Sequence, residues 1–262
     1  MAAVEYEVRD RVALITLNDP DKRNMLSEPM VEELVASVDR AEGSGDVGAI
    51  VVTGAPPAFC AGANLGSLGR TGEGARQSGS GGAGAGLRRV YEAFLRFSRS
   101  DLPTVAAVNG AAVGAGMNLA LCCDVRLVGA SARFDTRFVE LGLHPGGGHT
   151  WMLQRAVGPQ TAAAMVLFGQ VLDSAQAVER GLAWARVEDD ALVETALELA
   201  GRAASAPREL ATRVKQTMRA VAALDEHDAA VDTELDAQTW SVAQPWFAER
   251  LAAVQARVSR RS

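Results

Sequence analysis

Two short stretches of small residues carry the most chemistry this chain could perform. Phe59-Cys60-Ala61-Gly62-Ala63-Asn64-Leu65 follows the apolar, β-branched run Ala49–Thr53 after a turn at Ala55-Pro56-Pro57. Asn109-Gly110-Ala111-Ala112-Val113-Gly114-Ala115-Gly116-Met117-Asn118 follows a second such run, Thr104–Val108, and opens onto apolar sequence. Small residues after a strand let the backbone approach a ligand and leave N–H groups uncovered by side chains. A helix start adds the free N–H groups of its first turn. Taken singly, each stretch also reads as a tight crossing out of a strand. Two of them, each after a buried strand, suggest backbone donors converging on one oxygen. That is an oxyanion hole, built for a carbonyl whose charge develops during reaction. The second stretch is similar to a dinucleotide-binding turn, but the GxGxxG spacing is absent and it does not belong to the first strand–helix unit.

Other chemistries find less support. Cys60, Cys122 and Cys123 are odd in number, and two are neighbours, so they read as reduced buried thiols of a cytoplasmic protein. No His/Cys/Asp cluster has metal-ligand spacing, and 110–118 contains no serine for a Ser-His-Asp hydrolase. The 262 residues carry 26 Lys+Arg against 32 Asp+Glu, a net charge of −6, which disfavours nucleic acid as a partner. The N-terminus has Glu5, Glu7, Arg9 and Asp10 where a signal peptide needs an apolar run. Residues 102–123 are free of charge, but Pro103, Asn109, Gly110, Gly114, Gly116 and Asn118 divide them into strand, turn and buried helix, with no membrane span.

The elements that must position the two turns follow from periodicity. Val4–Val8 and Val12–Leu17 read as a hairpin turning at Asp10. Ser27 caps a helix whose face is Met30, Val31, Leu34, Val35 and Val38, closed by Gly43. Ala49–Thr53, Thr104–Val108 and Val125–Val128 suit strands buried on both faces. The second half is helical, over 148–157, 159–168, 174–180, 189–205, 207–223, 226–239 and 245–259, with Pro159, Pro207 and Pro245 at or near helix starts. The expected division is an α/β core over 1–188 and a helical oligomerisation region over 189–262. Glycine-rich 69–86 reads as a flexible loop, either a plain surface loop or a lid beside a ligand.

In combination, FCAGANL, NGAAVGAGMNLALCCD and FVELGLHPGGG, followed by VGPQTAAAMVLFGQVLDSAQAVERGL, resemble the crotonase (enoyl-CoA hydratase/isomerase) superfamily in order and spacing over residues 10 to 260. Lys22-Arg23-Asn24-Met25-Leu26 also resembles the family's first CoA-contacting turn. The resemblance implies an α/β fold, a ββα superhelix core with a C-terminal helical trimerisation region, assembled as a homotrimer or hexamer. It implies an acyl-CoA thioester as ligand, with coenzyme A entering as part of the substrate and no tightly bound cofactor. Ala63 and Ala115 fall at the oxyanion N–H donors, the second at a position usually glycine. Lys22, Arg23, Ala61, Ala63, Asn64, Leu65 and Gly114 fall at the CoA-binding turns.

The sequence departs from the family where hydratases carry two glutamates: Asn118 and Phe138 stand there. Neither exchanges a proton near neutral pH, and each lost acid or base typically costs about 10²–10⁴-fold. Asp135 and His144 are candidate substitutes. Asp135, three residues before Phe138, shares its face if the segment is helical; its other reading is the cap of a helix that begins near Thr136. Glu140 points to the opposite side of such a helix. His144 and His149 flank Pro145-Gly146-Gly147-Gly148, on the loop that faces the acyl group in relatives. Arg70, Arg76, Arg88 and Arg89 read either as a solvated face or as phosphate contacts. Hydration, double-bond shift, decarboxylation and thioester hydrolysis are open to such a site, and so is silent acyl-CoA binding.

Overall fold

A computed structural model of the chain describes residues 2–64, 66, 69, 73 and 80–259, the side chains of 80–83 excepted. The hairpin forms as expected: β1 (Val4–Arg9) pairs antiparallel with β2 (Val12–Leu17). Ser27 then caps α1 (Glu28–Gly43), its side chain accepting the Met30 N–H.

Three parallel strands follow, each leading through a short link into a second sheet. β3 (Ala49–Gly54) leads into β4 (Ala58–Cys60), β5 (Thr104–Val108) into β6 (Ala111–Val113), and β7 (Val125–Val128) into β8 (Arg133–Asp135). Helices close each turn of the spiral: α2 (Ser80–Ser98), α3 (Ala115–Leu121) and α4 (His149–Phe168), the last broken at Gly158, whose φ is 75°. After β9 (Leu172–Asp173), α5 (Ser174–Glu179) and β10 (Ala185–Arg186), the large sheet runs β1-β2-β3-β5-β7-β10 and the small one β4-β6-β8-β9. This is a ββα superhelix. The charge-free run 102–123 resolves into β5, β6 and α3, and no helix among the described residues is long and apolar enough to cross a membrane.

Period-two alternation places the core. Ile50 and Val52 of β3 face α1 and α2, against Met30, Leu34, Phe94 and Phe97. Ala49 and Val51 face the other way, against Leu192, Ala196, Ala200 and Ala204 of α6 (Leu192–Ala204). The first helix of the expected tail therefore belongs to the core, and the division at 188/189 does not mark its edge. The helices that leave it are α7 (Arg208–Val221), α8 (His227–Val242) and α9 (Pro245–Ser259). Lys215 is the buried residue of α7, its Nζ 2.6 Å from both the Leu102 carbonyl oxygen and Asp124 Oδ2.

Two further expectations change. Within the glycine-rich stretch, 80–86 form the first turns of α2, while most of 69–79, including Arg70 and Arg76, lies outside the described residues. No helix begins near Thr136: 136–148 is turn and loop, because Arg137 takes φ 54° and Gly142 φ 65°. Asp135 is instead the end of β8, its carbonyl accepting from the Gly114 N–H at 2.9 Å.

Candidate functional site

A cavity of about 430 Å³ opens where the turn after β4, the start of α3, the helix α2 and the loop after β8 meet. Ala63, Ala115, Asn118 and Phe138 line it, and so do Arg23, Ala61, Gly114 and His144. Residues spread over more than a hundred positions of sequence are thus gathered around one cavity.

Asn24 builds the entrance. It is fully buried, with φ 56°, and its Nδ2 donates to the carbonyls of Ala55 and Ala58, 2.8 Å from each oxygen. Its Oδ1 accepts the Asp19 N–H at 3.0 Å. The backbone on either side is thereby pinned to the β4 turn: the Ala61 N–H donates to Arg23 and the Leu26 N–H to Gly62, at 2.9 and 2.8 Å.

The isolated bridge between Leu26 and Ala63 leaves the Ala63 N–H unused, and among the described residues neither it nor the Ala115 N–H has a hydrogen-bond acceptor. Gly62 (φ 87°) and Gly114 (φ 52°) take the left-handed geometry that turns these amides, so Ala115 itself keeps a negative φ. A Cβ on Gly116 would collide with the Cys60 carbonyl, which shows how tightly α3 is pressed onto the β4 turn.

Deeper in the cavity, Asn118 is buried with its Nδ2 donating to the Gly146 carbonyl, 3.0 Å away. Its Oδ1 lies 2.7 Å from His149 Nδ1. The His149 ring is buried and meets the Phe138 ring edge-on at 4.9 Å. Burial lowers its pKa to about 4, so the imidazole is neutral at pH 7. His149, one of the two loop histidines, and Asn24, within the Lys22–Leu26 turn, acquire defined partners only in the fold. The signal for His149 was an imidazole beside three glycines. Its partner, 31 residues away, was not legible.

The remaining candidates separate. Lys22 is exposed and pairs with Asp19 at 3.3 Å, and Arg23 (φ 52°) stands at the cavity mouth. Asn64 is not among the lining residues, and Leu65 lies outside the described residues. Asp135 does not line the cavity, and its carboxylate accepts from Arg137 Nε at 2.9 Å. It is removed from the candidate substitutes by that ion pair and by the strand that holds it. His144 is exposed at the rim, its Nδ1–H donating to the Pro145 carbonyl at 2.7 Å. Glu140 also reaches the rim, 3.7 Å from Arg137 Nε, since the turn replaces the helix that would have pointed it away. Burial pushes the Cys60 and Cys122 thiols up to about 12, so neither is a thiolate at neutral pH. Among the described residues no group of three or more His, Cys, Asp or Glu could hold a metal.

The model of the enoyl-CoA hydratase/isomerase family matches residues 7–251. The chain belongs to that family. Within the enoyl-CoA hydratase/isomerase family it is 54% identical over 265 residues to a Mycobacterium tuberculosis H37Rv protein named "Probable enoyl-CoA hydratase EchA14", covering 97% of this chain and 98% of that one. It is 32% identical over 239 residues to the 1,2-epoxyphenylacetyl-CoA isomerase of Escherichia coli K12, covering 91% and 89%. Its fold superimposes on the crystal structure of "a probable enoyl-CoA hydratase/isomerase from Mycobacterium abscessus" with a TM-score of 0.87 at 27% identity, covering 98% and 97%.

Proposed function

We propose that the chain is an acyl-CoA enzyme in which the N–H groups of Ala63 and Ala115 bind the thioester carbonyl and stabilise an enolate at the α-carbon. The observation that carries this reading is the pair of uncommitted backbone donors on one cavity, set by two adjoining turns. Such donors act on the charge that develops in the transition state, and each is worth roughly 2.7–4 kcal/mol there. Coenzyme A enters with the substrate past Arg23 and Ala61, where exposed Lys22 and Arg23 offer the cations its phosphates need.

The name carried by the 54% identical relative favours hydration among the family's reactions. The interior of the cavity favours it less. Asn118 and Phe138 line it, and among the described residues the lining carboxylate is Glu140, exposed at the rim. This observation supports a second reading, a catalytically silent acyl-CoA-binding protein. Turnover assays with crotonyl-CoA and a longer enoyl-CoA, run beside a binding titration with the same ligands, separate the two. Turnover establishes the enzyme, binding alone establishes the silent binder, and failure to bind either ligand removes both.

A further inference from the structure

The Asn118 carboxamide is held at both ends. One end lies 3.0 Å from the Gly146 carbonyl oxygen, which can only accept, so the atom there is Nδ2. Oδ1 then faces His149 Nδ1 at 2.7 Å, and that nitrogen must carry a proton and donate it. A flipped amide would set Oδ1 against the Gly146 oxygen and the amide hydrogens against the Nδ1–H. His149 is therefore the Nδ1–H tautomer, with a buried Nε2 that has no hydrogen-bond partner among the described residues. Phe138, which lines the cavity, meets the His149 ring edge-on at 4.9 Å.

We propose that His149 is a positioning residue that fixes Asn118 as a hydrogen-bond donor to the cavity, so that the site selects acyl groups carrying an acceptor oxygen on the β-carbon. Nδ2 has two hydrogens and Gly146 takes one; the other is the hydrogen this cavity-lining side chain has left for a ligand. Asn118 follows Ala115 by three residues on α3, a rise of about 4.5 Å. With the thioester carbonyl on the Ala115 N–H, the acyl β-carbon falls level with the Asn118 turn. A 3-oxo oxygen accepts the free amide hydrogen there. A saturated chain buries it without a partner, which is the costly arrangement. The selection rests on the acyl-CoA reading given above. It differs from that reading in naming the acyl chemistry and the residue that sets it.

The test is calorimetric titration with acetoacetyl-CoA and butyryl-CoA, which differ at the β-carbon. Wild type is expected to bind acetoacetyl-CoA about 5–10-fold more tightly, as one good hydrogen bond allows. His149→Leu and Asn118→Leu are expected to lose that preference while still binding butyryl-CoA. His149→Asn, whose amide N–H takes the place of Nδ1–H, is expected to keep it. Equal affinities in wild type, or a folded His149→Leu that retains the preference, overturn the proposal and leave the acyl-CoA site standing. Binding of neither ligand removes the acyl-CoA reading, and the proposal with it. Should His149→Leu fail to fold, 15N spectroscopy of wild type decides the point: a neutral ring protonated on Nδ1 supports the proposal, and one protonated on Nε2 overturns it.

Discussion

Gly62 lies directly against the amide of Ala115: a Cβ at Gly62 would stand 3.4 Å from the Ala115 nitrogen and 2.5 Å from the Val113 oxygen. The two turns that carry the candidate donors are therefore one packed unit, and the absence of a side chain at Gly62 lets them close. Gly62→Ala adds that clash to a φ of 87°, a conformation that costs about 1–3 kcal/mol in residues other than glycine. Urea unfolding is expected to show at least that loss. Titration is expected to show weaker binding of acyl-CoA with free CoA less affected. A variant of parental stability would mean the turns are not in contact.

His149 couples stability to pH. Its folded pKa of about 4 lies below the unfolded value of 6.5, so the unfolded chain takes up the proton first as pH falls. The contribution is fully present above pH 6.5 and is lost as pH falls toward 4, to a total of about 3 kcal/mol at 1.36 kcal/mol per unit. Urea unfolding of wild type and His149→Asn at pH 7.5 and pH 4.5 reads this difference. The stability of wild type relative to the variant is expected to drop by about 2–3 kcal/mol at the lower pH. A constant difference would place the ring in solvent or beside an unrecognised acid.

Asn24 supports the cavity mouth through three hydrogen bonds, two of them donated by Nδ2 to carbonyl oxygens. Asn24→Asp replaces that donor with an acceptor facing two acceptors. Each buried group left unsatisfied costs about 1–3 kcal/mol, so a loss of at least ~3 kcal/mol is expected in chemical unfolding. An aspartate variant as stable as wild type would show that the turn is held by its backbone alone.

The elements and the two small-residue turns were legible because they depend on local patterns: β-branched runs, a serine cap, and glycines after strands. The short strands β4, β6, β8, β9 and β10 were not, since two or three residues are too few to display alternation. Thr136–Gly142 has a helix-compatible composition, but the strand pairing of Asp135 with Val113 and the left-handed Arg137 decide against a helix there. Ala63, Ala115, Asn118 and Phe138 were placed by family resemblance, and the fold brings all four to one cavity. The Asn118–His149 and Asn24–Ala58 contacts span 31 and 34 residues, so they arise only when the spiral closes.

The C-terminal helices carry exposed apolar surface. Met218 on α7, Leu235 on α8 and Leu251 on α9 are 67%, 55% and 44% exposed, and no residue of α8 or α9 is among the buried ones. Assembly as a trimer or hexamer through these helices is the expected way to cover them. Light scattering at micromolar concentration checks this, and a monomer there contradicts it.

The central claim is that the Ala63 N–H donates to a thioester carbonyl. Its most direct test compares butyryl-CoA with S-butyl-CoA, the thioether that lacks the carbonyl, on wild type and on Ala63→Pro. Proline deletes the N–H, while Ala63→Ser keeps it and serves as the control for crowding. Wild type and Ala63→Ser are expected to bind the thioester about 30-fold more tightly, the worth of two ordinary hydrogen bonds of ~1 kcal/mol each. A folded Ala63→Pro, verified by a circular-dichroism melt, retains the Ala115 N–H alone and is expected to prefer the thioester by about 5-fold. A folded Ala63→Pro that keeps the wild-type preference for the thioester would contradict the account.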